Sequence, residues 1–204
     1  MPVLYYVHDP MCSWCWGFRK VWQELQVQLD GSVAIKYVLG GLAPDSDLPM
    51  PLALQETISN TWRKIQREIP GTEFNYNFWT ECQPRRSTYP ACRAIIACRM
   101  QQSELELDML IAIQQAYYLY AKNPSDNDVL IQLASDIGLN AEVFAKDIEC
   151  ETCQKLLIGE LQESRRLYVH SFPSLVLSCN GVDSAIAIDY NDSHQMFESI
   201  ISKI

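Results

Sequence analysis

The 204-residue chain has no run of lysines and arginines, and no apolar stretch approaching the roughly 20 residues of a membrane span. Its formal charge is −9, so a nucleic-acid backbone would be repelled and an anionic membrane finds no basic patch. The opening residues, MPVLYYVHD, lack both the basic segment and the long apolar core of a secretory leader. The expected place of action is therefore the cytoplasm. Internal repeats and low-complexity segments are also missing. With 48% apolar residues the chain can bury a sizeable core without cross-links, and one domain with an elaboration is the default.

Cysteine, by contrast, is plentiful: Cys12, Cys15, Cys82, Cys92, Cys98, Cys150, Cys153 and Cys179. In a leaderless chain of this size these are expected to be reduced thiols, with close pairs suspected of redox or metal chemistry. Cys82, Cys92, Cys98 and Cys179 stand alone and read as buried thiols without further role.

Residues 3–8 (VLYYVH) read as a buried strand. Phe18, Val21, Trp22, Leu25 and Leu29 then follow helical spacing, Gly31 stops that helix, and residues 32–39 make a second strand. This is a βαβ unit, whose strands should be parallel. Gly40-Gly41 and the prolines up to Pro51 leave the sheet. Helices are expected over 52–68, 89–102, 104–121, 127–137, 140–148 and 151–168. Strands return at 174–179 and 184–189 around an Asn180-Gly181 hairpin signal, followed by a helix over about 193–203. Residues 1–40 and 172–204 thus supply one α/β unit, and residues 41–171 interrupt it as a helical insert between the second and third strands.

Within DPMCSWCWGF, Cys12 falls at the strand-to-helix junction and Cys15 in the first helical turn. Unpaired N–H groups and the positive dipole end there favour a thiolate, which marks Cys12 as a nucleophile and the more exposed thiol. Cys15, more buried, would resolve a mixed disulfide. A metal would need two further ligands. Cys150 and Cys153 supply them on paper, but more than 130 residues away, unlike compact zinc sites, so no metal is expected. Pro173 directly precedes the strand SLVL, where a cis peptide would turn the chain sharply.

Three stretches, DPMCSWCWGF, RRSTYPACRA (85–94) and VHSFPSLVL (169–177), together resemble the DsbA-like branch of the thioredoxin fold family, above all its FrnE-like cytoplasmic members. The resemblance implies a thioredoxin fold with an inserted helical domain, and a protein-disulfide oxidoreductase or isomerase acting on protein or small-molecule thiols. Cys12 matches the attacking cysteine, Cys15 the resolving one and Pro173 the cis-proline. Phe172 matches the residue whose backbone pairs with bound substrate like an added strand. Ser171 stands where glycine is common, and Ser13-Trp14 replaces the Pro-His of strongly oxidising members, which implies a less oxidising centre.

The family implies no bound cofactor beyond the redox-active disulfide. Glutathione stays open as reductant or ligand, because Thr88, Ala91 and Arg93 fit a helix start shared with kappa-class glutathione transferases and 2-hydroxychromene-2-carboxylate isomerases. A glutathione-dependent enzyme of that type is the alternative, although its serine-based site differs from CSWC. A chaperone-like binding module is the non-enzymatic one.

Trp14 reads as an exposed landing for an unfolded substrate, with packing on the helical insert as the equal alternative. Trp16, Phe18 and Trp22 read as core. His8 and Asp9 end the first strand, and a local turn role is preferred for Asp9. Arg85-Arg86 reads as solvated charge in preference to an anchor for a glutathione carboxylate. Cys150-Glu-Thr-Cys153 also heads a helix, and the sequence leaves open whether it forms a second disulfide.

Overall fold

The computed structural model describes all 204 residues. The sheet is formed by β1 (Val3–His8), β2 (Ala34–Leu39), β3 (Ser174–Cys179) and β4 (Val182–Ile186), in the order β2-β1-β3-β4. Helix α1 (Ser13–Gln28) joins β1 to the parallel β2, as the βαβ reading requires, and α9 (Ser193–Ile201) ends the chain. Between β2 and β3 lie α2 (Leu52–Glu68), α3 (Phe78–Glu81), α4 (Tyr89–Gln101), α5 (Glu106–Tyr118), α6 (Asn127–Asp136), α7 (Ala141–Asp147) and α8 (Glu151–Arg166). The fold is the expected DsbA-like thioredoxin arrangement, a βαβ…ββα chain with helices inserted before β3.

Three apolar clusters hold it together. Phe18, Val21, Trp22 and Leu25 of α1 meet Leu4, Tyr6, Leu175 and Leu177 of the sheet, and Met196 and Ile200 of α9 close the same core. Val7, Val38 and Val176 point to the other sheet face, under Leu167 and Val169. The largest cluster fills the helical segment around Trp62, Ile95, Tyr118 and Phe144, and it takes in Met11, Trp16 and Leu39. Helix α4 runs through its middle with Ala91, Cys92, Ala94, Ile95, Ile96, Ala97 and Cys98 all buried, the all-round apolar surface of a central helix.

Strand directions position the chemistry. β1 ends at His8, so the following loop and Cys12 emerge at its carboxyl end. β3 is antiparallel to β1, with Ser174 opposite Val7, so the segment leading into β3 arrives at that same end. Residues separated by 160 positions in the chain are thereby brought face to face.

Two expectations shift. β4 starts at Val182, two residues before the predicted strand, because the turn consists of Asn180 and Gly181 alone and Cys179 pairs directly with Val182. Both turn residues have positive φ, 52° and 80°, as a type I′ turn demands. Helix α3 was not foreseen, its four residues being too few to show a period. Gly181→Ala is expected to lower stability by ~1 kcal/mol, read as a shifted urea midpoint with unchanged slope. An unshifted midpoint would contradict this account of the turn.

Candidate active site

Cys12 is the N-cap residue of α1, with φ −79° and ψ 115°. Its backbone N–H donates to the Asp9 carbonyl at 3.0 Å and its carbonyl accepts from Trp16 N–H at 3.1 Å. Its sulfur accepts from Cys15 N–H at 3.4 Å, so an unpaired donor of the first helical turn points at it. Its S–H donates to the Phe172 carbonyl oxygen at 3.3 Å. The Phe172–Pro173 peptide is cis.

Cys12, expected to be the exposed thiol, is 5% exposed, and Cys15 is 1% exposed. The difference has the expected sign, yet both are buried, and the Phe172 carbonyl covers the Cys12 sulfur. Only Cys12 of the two lines the neighbouring groove of about 320 Å³, whose walls include Met11, Trp14, Leu42, Arg86 and Phe172. Burial pushes the Cys15 thiol well above its ordinary pKa, and the adjacent Cys12 adds to the rise. No group of three or more His, Cys, Asp or Glu side chains is placed to hold a metal ion.

Trp14 is half-buried rather than exposed. Its ring lies 5.0 Å from that of Tyr190, and the Lys64 ammonium sits over it at 5.5 Å. It joins packing on α2 to a place on the groove wall, which merges the two expected roles. Trp16, Phe18 and Trp22 are core, as read. Arg85 is not merely solvated charge: it is half-buried, donates to the Ser125 carbonyl at 2.7 Å and pairs with Asp126 at 2.6 Å. Arg86 is exposed at the groove rim.

Asp9 does more than shape a local turn. Its fully buried carboxylate accepts from Met11 N–H at 2.8 Å, Leu42 N–H at 2.7 Å and the Thr88 hydroxyl at 2.7 Å, with the Cys92 thiol at 3.7 Å. Burial raises its pKa, and those donors pull it back. Thr88 is the N-cap residue of α4, but its hydroxyl serves Asp9 and the Ala43 N–H in place of its own helix.

A second feature missed in the sequence is Gly40. A Cβ there would lie 2.0 Å from the Phe172 ring, so the bare backbone is what lets that ring pack down. The Gly40-Gly41 pair reads as a simple exit from the sheet, and only the partner 132 positions away reveals its role. Gly40→Ala is expected to displace Phe172 and destabilise by about 1–3 kcal/mol through overpacking. It should also raise the alkylation rate of Cys12, since the covering carbonyl moves. A variant with wild-type stability and alkylation rate would refute this packing account.

His8 is fully buried, stacked on Tyr6 at 5.1 Å and edge-on to Tyr37 at 5.7 Å, and neither ring nitrogen has a partner. Burial lowers its pKa from 6.5 to about 3, with Arg99 adding to the effect. Above pH 6.5 the imidazole is neutral in both folded and unfolded chains. As pH falls from 6.5 toward about 3, only the unfolded chain takes up the proton, so stability is lost by up to ~1.4 kcal/mol per pH unit. His8→Phe should flatten the acid limb of the stability curve measured by urea unfolding. An acid limb of unchanged slope would mean that His8 is not the group responsible.

A family profile described as Thioredoxin matches residues 5–199. Among curated relatives, the ClpXP adapter protein SpxH of Halalkalibacterium halodurans is 26% identical over 184 residues, covering 88% of this chain. The chain spans 60% of that relative's own length. Among solved structures, a candidate protein disulfide isomerase from Nitrosomonas europaea superposes with a TM-score of 0.84 at 23% identity, covering 99% of this chain and 96% of its own. The cytosolic disulfide reductase DsbM from Pseudomonas aeruginosa, solved with GSH, superposes with a TM-score of 0.74 at 19% identity over 98% of both chains. These two likenesses speak to the fold. The profile, running from β1 into α9, carries the assignment: this chain belongs to the thioredoxin family.

Proposed function

We propose that the chain is a cytoplasmic thiol–disulfide oxidoreductase working through Cys12 and Cys15. The observation that carries this reading is the setting of Cys12. Its sulfur caps a 16-residue helix, receives the Cys15 N–H, and lies on a groove opposite the Phe172 carbonyl.

The Cys12 thiolate attacks one sulfur of a substrate disulfide. The substrate S–S bond breaks, one substrate thiolate leaves and takes a proton, and a mixed disulfide remains on Cys12. Cys15 then loses its proton and attacks the Cys12 sulfur, releasing the second substrate thiol. Two protein thiols are oxidised and one disulfide is reduced. A small thiol such as glutathione resets the pair, or the cycle runs in reverse. The raised pKa of Cys15 keeps it protonated until the mixed disulfide forms. Phe172 offers its carbonyl to the backbone of an extended substrate once Cys12 has lost its S–H, with Trp14 and Met11 as apolar contacts.

The GSH-bound DsbM structure supports glutathione as a partner, and Arg86 at the groove rim supplies a cation for a carboxylate. The same DsbM is cytosolic, which supports the compartment. A second reading is favoured by the SpxH relative: a protein-binding module that uses the same groove without turnover.

Insulin reduction with dithiothreitol or glutathione as electron source separates the two. The wild type should accelerate reduction, and Cys12→Ala should lose that acceleration by at least ~100-fold. Equal rates in the two proteins would overturn the assignment of Cys12. No acceleration by wild type with either reductant would leave the binding module as the surviving reading.

A further inference from the structure

The head of α8 repeats the arrangement at the head of α1. Cys150 is the N-cap residue, extended at φ −75° and ψ 153°, and its sulfur accepts from Cys153 N–H at 3.3 Å. The corresponding distance from Cys15 to Cys12 is 3.4 Å. Sulfur is a weak acceptor, and serine, aspartate or asparagine would cap either helix better. Capping therefore does not explain a cysteine at this place.

Burial separates this pair more clearly than the first, in which both thiols are buried. Cys150 is half-buried, more open than Cys12, and Cys153 is sealed with its S–H directed to the Arg93 carbonyl at 3.4 Å. Burial pushes the Cys153 thiol up to about 12, Cys150 adds to the rise, and Arg93 and Arg99 oppose it. Glu149 and Glu151 flank Cys150, and each is tied to another side chain. Glu149 accepts from Asn127 at 3.0 Å, and Glu151 pairs with Lys155 at 2.7 Å. The 16 residues of α8 give its first turn a full positive end.

We propose that Cys150 and Cys153 are a second dithiol–disulfide centre, one that exchanges with small disulfides such as oxidised glutathione rather than with extended polypeptides. The size limit follows from the surroundings. The Cys150 sulfur is bonded to the Cys153 N–H alone, with no backbone carbonyl facing it as that of Phe172 faces Cys12. The Cys150 thiolate attacks glutathione disulfide, one glutathione leaves as thiol, and Cys153 displaces the second while losing its own proton. The products are the Cys150–Cys153 bond and two glutathione thiols, and the electron count closes.

The centre is tested on the full chain by incubation with excess oxidised glutathione, acid quenching, alkylation and peptide mapping. Wild type should yield a Cys150–Cys153 disulfide in addition to any at Cys12–Cys15. Cys153→Ala, which lacks the resolving thiol, should accumulate glutathione on Cys150 at least ~10-fold above wild type. Cys150→Ser keeps a good N-cap and should leave Cys153 free. Free, fully alkylated Cys150 and Cys153 in treated wild type would overturn the proposal. So would glutathione held on Cys150 equally with and without Cys153, or Cys150 bonded to a different cysteine. Because the readout is confined to these two residues, its failure leaves the role of Cys12 and Cys15 untouched.

Discussion

The buried carboxylate of Asp9 is the constraint on which the site depends. A carboxylate with no exposure is tolerated only when donors replace its water, and here they come from three separate parts of the chain. Met11 belongs to the loop that delivers Cys12, Leu42 to the connection after β2, and Thr88 to the first turn of α4. One side chain thus fixes the Cys12 thiol relative to two walls of the groove. The Asp9 carbonyl also takes the Cys12 N–H, so the same residue sets the N-cap conformation. Its raised pKa shows that burial outweighs those donors, and the loss of one would leave a charge still less compensated.

A second constraint acts at the opposite wall. The Phe172 carbonyl reaches Cys12 because its ring can sink against Gly40, and Gly40 is available there because β2 runs parallel to β1 and ends beside it. The Gly40 N–H donates to the His8 carbonyl at 2.7 Å, continuing the β1–β2 ladder one residue past the strands. Sheet register, a missing Cβ and the thiol hydrogen bond are therefore a single arrangement. Neither wall adjusts alone, which is how a groove made of loops holds its shape.

What could be read from the sequence was local. Strand 3–8, helix 52–68 and strand 174–179 were legible to the residue, because their periods and their turn residues agree. Cys12, Cys15 and Pro173 were legible as residues to watch, because two thiols at a helix start and a proline at a strand start each have a chemical reason to be there. The rest depended on partners far away. Asp9 looked like a turn residue since only Met11 is near it, while Leu42 and Thr88 are 33 and 79 positions off. Gly40 looked like punctuation, since the ring that demands it belongs to Phe172. Trp14 reads equally as exposed or as packed on the insert, because the tyrosine it packs on, Tyr190, lies in the last segment of the chain.

The raised pKa of the resolving thiol sets the order of events in the proposed exchange. A resolving cysteine that ionised easily would compete with the attacking one for the substrate and for the same positive helix end. Burial of Cys15 removes that competition by disfavouring its anion, and the further rise due to Cys12 is relieved once the Cys12 sulfur is part of a neutral disulfide. At that stage Cys12 no longer repels a second negative charge. The pair at α8 likewise buries its second thiol but lacks the opposing carbonyl. In this scheme the ordering of the two thiols comes from a CxxC at a helix start, whereas recognition of an extended chain would come from the segment before β3. The two capacities are separable, and in the proposed scheme the first occurs at two places and the second at one.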